Sequence, residues 1–331
     1  MSELIHIRDS FMESHTDFNE LIELIRQGFS DGSIHTPMRH HHDYANPEEA
    51  IDSTLLLMPS WDQGKDLGVK MVTVSPNNGK YQLPSIQGIY VYWDAHKGSI
   101  KAILDAKALT AKRTAAASAL AASYLAKKNA STMLMIGTGA LSSNLIKAHA
   151  SVRPIKEVYI WGRNYDNAKK IAEQLSTINL TVRAVAEYES YLSQVDLISC
   201  ATLSQTALVR GQLLKPGQHV DLVGSYRKDT READDLTIEK SSVYVDTYQG
   251  ATKETGDIVI PIKKGILSET MIKADLFELC SGAKAGRKND QEITLFKSVG
   301  HASEDLVGAR YYYREYHKKR DVIDQVKNSS S

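Results

Sequence analysis

STMLMIGTGALSSNLIKAHASVRPIKEVYIWGR, residues 131–163, decides the fold. Met133 to Ile136 is a short apolar run that reads as a buried strand, and it ends in Gly137-Thr138-Gly139. Ala140-Leu141-Ser142 leads into a helical pattern carried by Leu145, Ile146 and Ala148, and a second apolar run, Val158 to Trp161, closes in Gly162-Arg163. Strand, glycine turn, helix and strand within about thirty residues is a βαβ unit with a dinucleotide fingerprint. Gly137 permits the tight turn, and Gly139 lets the backbone approach a pyrophosphate. The helix N-terminus offers free N–H groups to that charge. Ser142 replaces the third glycine and is small enough for close helix–strand packing. Gly137, Thr138, Gly139, Ala140 and Leu141 are therefore the candidate phosphate cradle. The alternative, a glycine turn that binds nothing, is disfavoured by its place between strand and helix.

Arg163 lies just beyond the second strand, where NAD-preferring proteins usually set an acidic residue against the ribose hydroxyls. An arginine there, with Asn164 beside it, suits a 2′-phosphate. NADPH is the expected cofactor and NADH the weaker alternative.

The chain has 331 residues, enough for two domains. Forty basic and forty acidic side chains cancel, so no global field draws it to nucleic acid or an anionic membrane. Cys200 and Cys280 make neither a disulfide framework nor a metal-ligand set, and both read as buried free thiols. No signal peptide or membrane-length apolar run is visible, so a soluble cytoplasmic protein is expected.

Upstream of the fingerprint, Phe18, Leu21, Ile22, Ile25 and Phe29 share one helical face. Strand-like runs follow at 53–58, 67–74, 88–93 and 100–104, separated by turn signals such as Pro76-Asn77-Asn78-Gly79. Consecutive strands without helices between them predict an antiparallel sheet. Thr110 then reads as the N-cap of an alanine-rich helix over 111–127. Downstream, a helix at 165–175 and strands at 181–184, 195–201, 218–224 and 242–246 continue the series of a doubly wound parallel sheet. A tyrosine-rich helix over 303–319 and a disordered Asn328-Ser-Ser-Ser end complete the chain.

Three cations stand out. Alternation puts Lys70 on the apolar face of Val72 and Val74, where it needs an anion or an exit to solvent. With Thr110 as cap, Arg113 falls in the first turn of a helix, against the dipole, a placement that a docking carboxylate or phosphate would explain. Arg39 follows Thr36-Pro37-Met38 and precedes His40, His41 and His42. Three adjacent histidines point in different directions, so no metal is expected. No GxSxG and no activated cysteine support a catalytic triad.

GVKMVTVSPNN (68–78), LTAKRTAAASALAASYLA (109–126), MIGTGALSSNLIKAH (135–149) and LFKSVGHASEDL (295–306), in this order, resemble the ornithine cyclodeaminase/mu-crystallin family. The resemblance implies a homodimer. It also implies a Rossmann-type cofactor domain, 116–303, and an α+β substrate-binding and dimerisation domain, 1–115 and 304–331, completed by the C-terminal helix. Within it, Arg39, Lys70 and Arg113 match the residues that hold the substrate carboxylate, with Lys70 and Arg113 taken as the catalytic pair. Thr202 and Ser298 join the cofactor set.

Two departures narrow the activity. Where the cyclodeaminases and archaeal alanine dehydrogenases carry an aspartate, this chain reads Val223-Gly224-Ser225-Tyr226, and Leu56 stands where the cyclodeaminases have a glutamate. HVDLVGSYRKDTREADD (219–235) instead resembles the family's Δ1-pyrroline-2-carboxylate reductases. The resemblance thus implies NADPH-dependent reduction of Δ1-pyrroline-2-carboxylate or Δ1-piperideine-2-carboxylate to L-proline or L-pipecolate, with Tyr226 beside the substrate. A protonated cyclic imine is already electrophilic at C2, so that reaction asks little of acid–base side chains. An ammonia-releasing cyclodeaminase with NAD and a non-catalytic NADPH-binding protein of the mu-crystallin kind are the alternatives. The proton source for the imine nitrogen stays open between solvent, Tyr226 and Ser225.

Overall fold

The structure, a computed structural model, describes residues 4–175 and 180–329. It divides into two compact units: residues 1–17, 31–113 and 302–331 form the first, and 18–30 with 114–301 form the second.

In the first unit β1 (Ile5–Ile7), β2 (Ile34–His35), β3 (His40–Tyr44), β4 (Ser53–Asp62), β5 (Asp66–Val74), β6 (Ile86–Asp94) and β7 (Ser99–Asp105) make one sheet. Its order is β1-β7-β6-β5-β4-β2, with β3 also on β4. Every pair is antiparallel except β1 with β7. The helix Ala302–Ser329 packs on β4, β5 and β6. Alternation along β5 buries Gly68, Lys70 and Val72 on the face that meets this helix. Opposite Lys70 in the sheet stands Tyr90, wholly buried, and a Cβ on Gly68 would run into the Tyr90 ring. That helix reaches Ser329, so Asn328 and Ser329 are helical rather than a disordered end; Ser330 and Ser331 lie outside the described residues.

The alanine-rich helix starts earlier than its sequence suggests. It spans Ala106–Leu125, because the cap comes from afar: Asp9 Oδ1 accepts the Ala108 N–H at 2.8 Å. Thr110 is therefore not an N-cap, and Arg113 sits in the third turn, away from the positive end of the dipole. The dipole argument for an anion at Arg113 fails with it.

The second unit carries an eight-stranded, all-parallel sheet of β8 (Thr132–Ile136), β9 (Glu157–Trp161), β10 (Thr181–Ala184), β11 (Leu197–Cys200), β12 (His219–Leu222), β13 (Ser241–Val245), β14 (Ala274–Asp275) and β15 (Ile293–Lys297). The order β10-β9-β8-β11-β12-β15-β13-β14 reverses direction at β8, as in a doubly wound Rossmann-type sheet. β15, buried at every position, lies between β12 and β13; the series read from sequence stopped short of it. Register aligns Ile136, Cys200, Leu222, Lys297 and Val245, so the carboxyl ends of five strands form one edge. The helix Phe18–Asp31 buries the predicted face, and through residue 30 it counts with this unit rather than with the first. Phe29 stacks edge-on to Phe277 at 4.7 Å, and Arg26 lies over the Tyr124 ring.

Candidate active site

In the first unit the structure brings Lys70 and Arg113 together around two carboxylates that sequence reasoning did not assign. Lys70 Nζ donates to Asp305 Oδ1 at 2.9 Å and lies 2.8 Å from Oδ2. Arg113 Nε donates to the same Oδ1 at 2.9 Å, and its Nη1 donates to Glu304 Oε2 at 2.7 Å. All four side chains are buried. The two acids open the first turn of the C-terminal helix, where negative charge also suits the dipole. Burial, then the neighbouring Arg113, push Lys70 down to about 8, while Asp305 works the other way. Asp305 itself is opposed by burial, yet Arg113 and Lys70 hold its carboxyl below the usual range.

Arg39, half-buried just before β3, is close enough for its charge to depress Lys70 as well. Lys70 and Arg113 are thus ion-paired to two carboxylates, with the charge of Arg39 near enough to be felt at Lys70. Glu304 and Asp305 stood inside the quoted LFKSVGHASEDL, and a buried lysine on an alternating strand was the signal that such partners had to exist. Lys112, next to Arg113, is buried too and binds Glu13 at 2.6 Å. Leu56 packs in a small apolar cluster with Val72 and Ala106.

The glycine turn of the second unit has the form expected. Gly137 has φ +121°, and a Cβ there would lie 2.6 Å from the Ala201 carbonyl oxygen, so only glycine fits. Around Gly139 the space is open. Ser142, fully buried, donates its hydroxyl to the Gly137 carbonyl at 2.9 Å, which locks the turn from the third glycine position. The helix Ser142–Val152 has Leu141 at its N-cap and no side-chain cap, and the Ser142 N–H turns back to the Gly139 carbonyl at 3.2 Å, which closes the turn at the positive end of the helix. Thr138 is half-buried against Gly162, and Ala140 is exposed. Arg163 is exposed beside this turn's strand. Asn164 Oδ1 accepts the Asp166 N–H at 2.9 Å, so that side chain caps the following helix.

Thr202 and Ser298 lie at the same carboxyl edge, but their donors are already engaged. Thr202 gives its N–H and hydroxyl to Glu232 Oε1, at 2.7 and 3.1 Å. Ser298 donates to Asp246 Oδ2 at 3.3 Å, an oxygen that also takes the Val299 and Gly300 N–H groups. Ser225 is fully buried and donates to the Thr230 carbonyl at 2.6 Å, which removes it as a proton source. Tyr226, half-buried, remains.

Glu232 was also missed by sequence. It is buried with Asp257 and Lys297, whose Nζ lies 3.2 Å from Asp257 and 3.6 Å from Glu232. Burial, which outweighs Lys297, raises the Glu232 carboxyl to about 7. Elsewhere Ser199 and His149 both bind Asp221, but the serine donates to the acid rather than to the imidazole, so no nucleophile is activated there. Both cysteines are free; Cys200 is buried and Cys280 half-buried. Among the described residues no group of acids, cysteines and histidines is placed to hold a metal.

Residues 4–320 match the profile of the ornithine cyclodeaminase/mu-crystallin family. A Δ1-pyrroline-2-carboxylate reductase of Colwellia psychrerythraea is 34% identical over 301 residues, 90% of this chain and 95% of the relative. The Thermococcus litoralis Δ1-pyrroline-2-carboxylate reductase, solved with NADH and L-proline, superposes with a TM-score of 0.89 at 33% identity, covering 96% of this chain and 98% of its own. An archaeal alanine dehydrogenase dimer with bound NAD gives 0.87 at 25% identity, covering 96% and 97%. The match of profile, sequence and fold over nearly the whole length makes this chain a member of the ornithine cyclodeaminase/mu-crystallin family.

Proposed function

We propose that this protein is a cyclic imino acid reductase, converting Δ1-pyrroline-2-carboxylate or Δ1-piperideine-2-carboxylate to L-proline or L-pipecolate. The chain is an oxidoreductase acting on C=N that uses a nicotinamide cofactor. The observation that carries the substrate reading is the buried Lys70–Arg113 pair, held by Asp305 and Glu304, with the charge of Arg39 close to Lys70. A guanidinium has five N–H donors and an ammonium three, and the bonds to Asp305 and Glu304 use only some of them. The rest suit a monoanionic carboxylate held in a fork.

Gly137–Leu141 and the uncapped helix behind them fit the pyrophosphate of a dinucleotide, since a side chain at 137 would close the turn. The bound nicotinamide supplies hydride to C2. What the chain contributes is orientation: Lys70, Arg113 and Arg39 fix the carboxylate and with it the face of the ring. Thr202, half-buried and with its donors spent, offers an acceptor oxygen to a cofactor hydroxyl, whereas the Ser298 side chain is fully buried and supports the edge from within. The proton on the imine nitrogen comes from solvent or the Tyr226 phenol. Tyr226 and Leu56 stand at the two positions where the resemblance places the cyclodeaminases' carboxylates, which weighs against an ornithine-like diamine as substrate.

The first unit, taken with the limits 1–115 and 304–331, is proposed as the substrate and dimerisation domain, and 116–303 as the cofactor domain. Exposed Ile86, Ile89 and Ile100 on β6 and β7 support a homodimer, as does the dimeric alanine dehydrogenase. No helix among the described residues is long and apolar enough to cross a membrane. Exposed Arg163 supports NADPH over NADH.

One assay tests the reading: oxidation of NADPH and of NADH on the five- and six-membered imines in parallel. Reduction of at least one imine is expected, faster with NADPH, and Arg163→Asp should erode or reverse that preference. Ammonia release from ornithine with neither imine reduced would overturn it.

A further inference from the structure

We propose that Glu232 is a positioning residue for the reduction: its buried carboxylate holds the turn after β11 and the turn after β12 in one fixed arrangement. The proposal rests on the reading above. Oε1 takes both donors of Thr202, and Oε2 takes the N–H groups of Gly224 and Ser225, at 2.8 and 3.3 Å. Glu232 is itself immobilised. Its carbonyl accepts the Leu208 and Val209 N–H groups at 2.8 and 2.9 Å, and its N–H donates to Asp257 Oδ1 at 2.7 Å. The two turns meet backbone to backbone, since a Cβ on Gly224 would run into the main chain of Thr202.

One carboxylate thus fastens the residues that follow adjacent strands at the edge where doubly wound sheets take their ligands. Burying a charge to tie two turns is a costly way to gain stability alone, because apolar packing does that as well or better. It is a direct way to set direction. The Thr202 donors point inward, leaving only its acceptor side for a ligand, and Tyr226 leaves a turn whose two preceding N–H groups are fixed.

Two variants of the full chain test this, each first checked for folding by thermal melting. Glu232→Asp keeps the charge opposite Lys297 but is one methylene too short to reach both turns; Glu232→Gln keeps the reach without the charge. In Glu232→Asp we expect kcat to fall about 100-fold, the scale of a ~1 Å misplacement. The KM for the imine should stay within about threefold and the Kd for reduced dinucleotide should change far less than kcat, because Thr202 is the one proposed cofactor contact that Glu232 holds directly. Amide hydrogen exchange at Thr202 and Gly224 should quicken at least tenfold. Exchange and kcat both within about threefold of the parent would overturn the proposal. So would an equal loss of kcat and dinucleotide affinity, the mark of a merely loosened domain. Should both variants fail to fold, Gly224→Ala leaves the carboxylate in place and forces the turns apart. It should show the same split, and parental turnover there overturns the proposal. If the parent reduces neither imine, the functional reading fails separately. Exchange and the emission of bound reduced dinucleotide still decide the role of Glu232: emission altered in Glu232→Asp supports it, and emission unchanged with parental exchange rejects it.

Discussion

Each unit buries a cluster of charges, and the two clusters are built in opposite senses. In the first, two cations meet two acids, and Asp305 is satisfied by the Lys70 and Arg113 side chains. In the second, two acids share the single cation Lys297, and Glu232 is satisfied chiefly by backbone N–H groups. The two buried carboxylates accordingly shift in opposite directions: Asp305 is held below the usual range, and Glu232 is raised to about 7. A carboxylate facing side-chain cations, which carry several donors each, leaves donors for a ligand, whereas one facing fixed amides leaves the backbone nowhere else to go. The first arrangement suits recognition and the second suits geometry.

The largest expected effect breaks the first cluster. Arg113→Ala leaves Glu304 and Asp305 short of a partner, with a stability loss of about 3–5 kcal/mol. Against the imine, kcat/KM should fall roughly 30-fold or more, as it should in Lys70→Ala. Dinucleotide affinity should barely change; a parallel loss of cofactor binding would show that the two clusters are not functionally separate. Lys297→Met tests the other side by stranding Glu232 and Asp257 together. Urea unfolding should register a loss of ~3 kcal/mol near pH 8, shrinking at lower pH as the stranded acids take up a proton.

Two pH effects come next. Lys70 must be charged to hold a carboxylate, so the KM for the imino acid should climb as pH rises past about 8, and Lys70→Arg should move that limb to higher pH. A flat KM from pH 7 to 10 would take Lys70 out of the clamp. For Glu232 the folded value, about 7, exceeds its ordinary 4.5. The folded state therefore binds the extra proton between those values, and stability falls as pH rises through that window by up to ~1.4 kcal/mol per unit. Glu232→Gln should flatten this slope in denaturant melts at stepped pH. Smallest is Tyr226→Phe: turnover should stay within about tenfold if solvent delivers the nitrogen proton, and a larger loss would make the phenol the donor.

The Rossmann-type unit was legible because its signals are local. Gly137, Gly139 and Ser142 announce a turn by their own stereochemistry, and the central strands β8, β11, β12 and β15 are buried on both faces, while the edge strand β10 is not. The antiparallel sheet was legible because its strand-like runs follow one another without helices between them, and Lys70 was noticed because alternation puts its charge on an apolar face. What stayed hidden is long-range. Asp305 meets Lys70 across 235 positions, and Asp9 caps a helix 99 positions away, so neither pairing leaves a mark on its own neighbourhood. The Arg113 reading failed for that reason: its helix begins where a remote carboxylate says, not where the nearest threonine does. Glu232 looked like one more acid in a charged stretch, because the amides it collects belong to other turns.

The C-terminal helix has a consequence for the order in which the protein can be made. Tyr311 accepts the Asp17 N–H and donates to the His15 carbonyl, while Tyr312 pairs with Thr16, so the last helix fastens the first segment of the chain. Every residue of the second unit precedes residue 302. During synthesis that unit can complete itself while Lys70 and Arg113, translated long before, still await Glu304 and Asp305. Until the final helix leaves the ribosome, two cations destined for burial have no carboxylates to receive them. The Lys70–Arg113 charge cluster is thus completed only after the whole of the second unit has been translated.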